Sequence, residues 1–139
     1  MERILRTVLI VTAALAAACA PRERTLVLLS TNDMHAKIRN FPRLAAAVEA
    51  CRDTAQLVVL VDAGDRWTGN AYVDRAATPG MPMIALMNRL GYDVATLGNH
   101  EFDHGQAFLG RMIDSMDFEV VCANVAVSYT HLRAHETSA

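Results

Sequence analysis

Three short apolar runs in this chain each break off into a turn dense with carboxylate, amide and imidazole groups. That recurrence constrains the fold more than any other feature. Leu26 to Leu29 leads into Thr31-Asn32-Asp33-Met34-His35, and Leu57 to Val61 leads into Asp62-Ala63-Gly64-Asp65. The segment from Asp93 to Leu97 leads into Gly98-Asn99-His100-Glu101-Phe102-Asp103-His104-Gly105. A strand end followed by a polar turn is where α/β proteins keep their chemistry.

Helical patterns fill the intervals. Phe41 to Arg52 has Pro42 in its first turn and Leu44, Ala45, Val48 and Cys51 at helical spacing. Met81 to Leu90 carries an apolar stripe through Ile84 and Met87, with Gly91 placed as the stop. Gln106 to Met116 sets Leu109, Met112, Ile113 and Met116 on one side, and Phe118 to Ala123 is a fourth apolar run. Arg66 to Pro79 reads as loop. The order β-α-β-α-β-α-β predicts an α/β fold, a parallel or mixed sheet covered by helices. The continuous run from Thr25 to Leu29 predicts a strand buried on both faces.

The 139 residues allow one small domain. They are 53% apolar, much of the excess lying in residues 1–20. There, Arg3 and Arg6 precede an apolar stretch from Thr7 to Ala18, too short for the roughly 20 residues of a membrane-spanning helix. The expectation for 1–20 is a bacterial export signal. Cys19 after Ala16-Ala17-Ala18 is a candidate lipidation site, through which any membrane contact would run, with simple cleavage near Ala18 or Ala20 or an uncleaved anchor as the alternatives. The mature protein is then periplasmic or on the outer cell surface. A net charge of −2, from 13 basic and 15 acidic residues, gives no reason to expect nucleic-acid binding. Cys51 and Cys122 carry no spacing signal for a bridge. Residues 21–125 hold the domain. From Ala126 to Ala139 the alternation stops, and the stretch resembles translated adapter or vector sequence. The expectation is a non-native tail on a protein that continues past about Val125.

Asp33 and His35 straddle Met34, a spacing that in an extended or turn segment puts both side chains on one side. Their oxygen and nitrogen donors suit Mn, Fe, Zn, Co or Ni better than Ca. Gly64 allows a sharp turn between Asp62 and Asp65. Asp65, furthest out, is the candidate bridging carboxylate between two cations. Asp62 is expected to accept turn hydrogen bonds. Asn99 offers an amide oxygen to a metal, while His100 beside it faces elsewhere, towards substrate. Asp103, three residues on, is within reach of that imidazole and can hold it charged or in one tautomer. Glu101 is expected to face backbone N–H groups, and His104 to lie at the surface.

Taken together, Ser30–His35, Val61–Gly69 and Thr96–Gly105 resemble the motifs of the bacterial 5′-nucleotidase/UDP-sugar hydrolase family, within the calcineurin-like metallophosphoesterases. Those motifs read T-N-D-x-H, D-x-G-D…G and T-x-G-N-H-E-F-D-x-G. The resemblance runs from about Thr25 to Val125 and implies the N-terminal part of a four-layer sandwich. It also implies two divalent metal ions (Mn, Zn, Co, Mg or Fe), with Asp33 and His35 on one, Asn99 on the other and Asp65 between. His100 and Asp103 then form the catalytic dyad of a hydrolase, and the partner is a small-molecule phosphate ester, a nucleotide first among them. The family's later G-H and G-H-x-H ligands and its base-holding C-terminal domain have no counterpart here. His131 and His135 lack the preceding glycine and are not expected to replace them. The chain as given is therefore expected to be inactive. Cyclic-nucleotide phosphodiesterases and a thiosulfohydrolase branch share these motifs. A non-catalytic lipoprotein binding a metal or nucleotide is the competing reading, against which the retention of both His100 and Asp103 argues.

Overall fold

The computed structural model describes residues 24–123, so the export signal with Cys19 and the tail with His131 and His135 lie outside the described residues. Four strands, β1 (Leu26–Thr31), β2 (Leu57–Asp62), β3 (Val94–Ala95) and β4 (Glu119–Val120), alternate with helices. These are α1 (Phe41–Thr54), the short α2 (Ala71–Asp74), α3 (Met81–Leu90) and α4 (Gln106–Ile113). Single 3₁₀ turns at Ile38–Asn40 and His100–Phe102 complete the set. The predicted alternation holds, with one addition. The 66–79 segment is not all loop: Asn70 accepts the Tyr72 N–H at 3.0 Å and caps α2.

All three strand pairs are parallel, and the sheet order is β1-β2-β3-β4. Each strand is added beside the one before it, always in the same direction. Right-handed crossovers then deliver every helix to the same face. The core lies there: Leu60, Ala95 and Val120 from the sheet pack with Phe41 and Val48 of α1, Met83, Met87 and Leu90 of α3, and Tyr92 and Phe118. A smaller cluster joins Trp67 to Ile84, Leu109 and Met112.

The other face corrects one expectation. β1 is not buried on both faces, since Leu26 and Leu28 are 61% and 64% exposed and their neighbour Leu57 is 57% exposed. A continuous apolar run records the surroundings a strand is suited to, and here the described residues cover one side only. β3 and β4 are also shorter than their apolar runs. Leu97 leaves the ladder and packs against the core from the following turn.

α1 and α3 are locked to each other at their ends. Gly91 takes φ 73° as the left-handed C-cap of α3. Arg52, in the last turn of α1, donates to the carbonyls of Leu90 and Gly91 at 2.8 and 2.9 Å. It satisfies acceptors that α3 itself leaves unpaired.

Candidate metal centre

The three polar turns meet because their strands are parallel neighbours with ends in register: Thr31 pairs with Asp62, and Asp62 with Ala95. Backbone hydrogen bonds then join turn to turn. Asp33 N–H donates to Gly64 C=O at 3.2 Å, His35 N–H to Asp65 C=O at 3.0 Å, and Ala36 N–H to Arg66 C=O at 2.9 Å. Gly64 and Gly98 pack against each other. A Cβ on Gly64 would collide with the Gly98 backbone, and one on Gly98 would collide with the Asp65 carboxylate. Two glycines therefore let the second and third turns approach this closely.

One ligand atom each from Asp33, His35 and Asp65 lies within 4.8 Å of the others. His35 Nε2 is 3.6 Å from Asp33 Oδ1. Asp33 and His35 meet through a turn rather than an extended segment: their φ angles are 50° and 44°, and that of Asp65 is 54°. Two carboxylates and an imidazole make a mixed oxygen and nitrogen donor set, partly open to solvent, and this fits a first-row divalent cation.

The third turn reaches the same place. His100 N–H donates to Asp65 Oδ1 at 2.9 Å, and the His100 ring meets the His35 ring edge-on with centroids 5.0 Å apart. Asn99 is exposed and directly precedes the N–H that holds Asp65. Asp103 Oδ2 lies 2.8 Å from His100 Nδ1. That hydrogen bond raises the His100 imidazole above its ordinary 6.5, and the charges of Asp103, Asp65 and Glu101 act the same way against desolvation. The same bond holds Asp103 below its ordinary 3.8, with help from the Thr68 hydroxyl. Trp67 Nε1 donates to His100 C=O at 3.1 Å and fixes the backbone of the dyad. His104 is exposed and its ring lies against Phe108, away from these groups.

Beneath the cluster runs a buried polar chain. Asp62 accepts from Thr31 Oγ1 at 2.7 Å, Gly64 N–H at 3.2 Å and Arg66 Nε at 2.9 Å. The Tyr92 hydroxyl lies 3.0 Å from Thr31 Oγ1 and 3.8 Å from Met34 Sδ. Burial pushes that hydroxyl up to about 12. Glu101 does face backbone N–H groups, but on the other turn as well as its own. It accepts from Asp65 at 2.8 Å, Arg66 at 3.0 Å and Gly98 at 2.6 Å. Sequence reasoning passed over Arg66. The available signal was an arginine directly after D-x-G-D, four residues beyond a strand-end aspartate.

Residues 26–133 match the calcineurin-like phosphoesterase family, and the chain belongs to that family. Among its relatives, the trifunctional nucleotide phosphoesterase protein YfkN of Bacillus subtilis is 32% identical over 118 residues. That match covers 74% of this chain and 8% of the relative. The 2′,3′-cyclic-nucleotide 2′-phosphodiesterase/3′-nucleotidase of Yersinia enterocolitica is 34% identical over 119 residues, covering 72% and 18%. The structure of a 5′-nucleotidase precursor from Thermus thermophilus superposes with a TM-score of 0.65 at 31% identity, covering 71% of this chain and 22% of that one. The chain thus spans less than a quarter of the length of each of these proteins.

Proposed function

We propose that the chain carries the metal-gathering part of an exported phosphoesterase that hydrolyses nucleotide phosphate esters at a dinuclear centre. The observation that carries this reading is the convergence of Asp33, His35 and Asp65 within 4.8 Å, with the His100–Asp103 pair beside them. In this reading Asp33 and His35 would hold one cation and Asn99 would serve a second, with Asp65 available to both. Divalent cations held there supply Lewis acidity towards a phosphoryl oxygen and a nucleophile at neutral pH.

The protein's own groups do the rest. Asp103 keeps the Nδ1 proton of His100 and favours the imidazolium. His100 then holds a proton at Nε2 that it can give to the departing alkoxide, while its charge offsets that developing on the phosphoryl group. A cyclic diester is the second substrate class, because the Yersinia relative matches at comparable identity. Export rests on Arg3, Arg6 and the apolar stretch Thr7 to Ala18, with Cys19 as the lipidation site.

The test begins at the locus, where an uninterrupted reading frame is expected to run across Val125. Its product is expected to release phosphate from AMP, UDP-glucose or a cyclic nucleotide in a reaction abolished by EDTA and by Asp65→Asn. The 139-residue chain is expected to bind Mn²⁺ and to show no appreciable turnover. Hydrolysis by the longer protein that survives both EDTA and Asp65→Asn would refute the proposal.

A further inference from the structure

Arg66 is the one basic side chain among the described residues that is fully buried, and it sits directly behind Asp65. Its guanidinium has a divided grip: Nε donates to Asp62 Oδ2 at 2.9 Å at the end of β2, and Nη2 donates to the Thr96 carbonyl just past β3. Glu101 Oε1 is 4.0 Å from Nε, so one guanidinium stands between two buried carboxylates. The backbone at Asp65 and Arg66 is held on both sides. Its two N–H groups go to Glu101, and its two carbonyls receive the N–H groups of His35 and Ala36. His35 is thus tied to this dipeptide and Asp33 to Gly64 directly before it, and the Arg66 side chain ties the dipeptide to the third strand end.

We infer that Arg66 is a positioning residue whose planar fork sets the spacing of Asp33, His35 and Asp65 and thereby the affinity and geometry of the cation they hold. The inference rests on the metal-site reading above. A guanidinium can reach Asp62 and Thr96 at once with fixed angles, whereas an ammonium keeps the charge but loses the fork. Charge alone and spacing therefore make different predictions for Arg66→Lys.

The test uses the full 139-residue chain, with Mn²⁺ and Co²⁺ as probes. Binding is read from the loss of the free Mn²⁺ electron paramagnetic resonance signal, and coordination geometry from the visible bands of Co²⁺. Circular dichroism reports the fold. Arg66→Lys is expected to keep the fold, to bind Mn²⁺ at least tenfold more weakly and to shift the Co²⁺ bands. Arg66→Gln, which also leaves two buried carboxylates without their cation, is expected to bind more weakly still or to unfold. An Arg66→Lys protein with wild-type affinity, or with unchanged Co²⁺ bands, overturns the inference. So does one that fails to fold, since the residue then serves the fold alone. A wild-type chain that binds no Mn²⁺ counts against the metal site itself, and the Asp65→Asn control separates specific from adventitious binding.

Discussion

Asp33, His35 and Asp65 all occupy the left-handed region, where a residue with a Cβ costs on the order of 1 kcal/mol or more. Strain of this kind persists only where the surroundings over-determine it, and here the interlocking hydrogen bonds of the turns do so. Gly98 is the most sensitive point, because its missing side chain is the space the Asp65 carboxylate uses. Gly98→Ala is expected to displace that carboxylate and to weaken Mn²⁺ binding by tenfold or more. The accompanying loss of stability should be about 1–3 kcal/mol, measurable by urea unfolding. The dyad gives a pH signature. His100 is raised from 6.5 and Asp103 lowered from 3.8. The stabilisation from His100 is complete below 6.5 and fades as pH rises through its raised value. That from Asp103 is complete above 3.8 and fades as pH falls through its lowered value. The pair therefore contributes most between those two ordinary values. In metal-free protein an NMR titration should place His100 above 6.5, and Asp103→Asn should bring it back down; a midpoint unchanged by that substitution would contradict the assignment. In the longer protein, His100→Ala is expected to lower kcat roughly 10²- to 10⁴-fold, the usual worth of a general acid. The grouping of Asp33, His35 and Asp65 and the contact of His100 with Asp103 were legible because each sits in a dense polar motif. Arg66 was not, since an arginine in a loop-like stretch looks solvated until nearby Asp62 and distant Glu101 are seen to enclose it.

At the scale of elements, helix ends decide how the site is carried. The bounds of α3 were read correctly from sequence because its signals are local: an apolar stripe and a glycine at the stop. The cap that Arg52 places on α3 from the end of α1 could not be read, because nothing in the sequence links residues 52 and 91. Gly91→Ala forces a Cβ into the left-handed region and towards Arg52 Nη2, 3.3 Å away. It should cost about 1–2 kcal/mol, seen as a lowered thermal midpoint, without altering Mn²⁺ affinity. If metal binding fell in parallel, the helix pair and the site would be coupled more tightly than the fold suggests. The short β3 and β4 teach a related lesson. Hydrophobic periodicity marks where a segment is buried, and Leu97 is held by packing outside any strand ladder.

At the scale of the molecule, the side of the sheet left uncovered by the described residues bears on behaviour in solution. Leu26, Leu28 and Leu57 form a contiguous apolar surface next to an open strand edge, the combination that promotes association. The chain should self-associate and bind a hydrophobic dye at micromolar concentration. Leu28→Lys should reduce both while changing stability by no more than about 0.5 kcal/mol. Sedimentation velocity and dye fluorescence would check this, and a monodisperse wild-type chain would rule it out. The alternation of elements was visible in the sequence; which side stays open depends on strand order, and strand order is not written in hydrophobic periodicity. That order has a kinetic side too. Because each described strand pairs with the one synthesised just before it, none of the four waits for a strand made much earlier. Folding can advance vectorially from the amino end, each β-α unit docking on the last, although every parallel pairing has to close a whole helical crossover before it gains a contact. The three ligand-bearing turns would then be brought together one at a time in chain order, and the site would close only when the last of them, at Gly98 to Asp103, swings in beside Asp65.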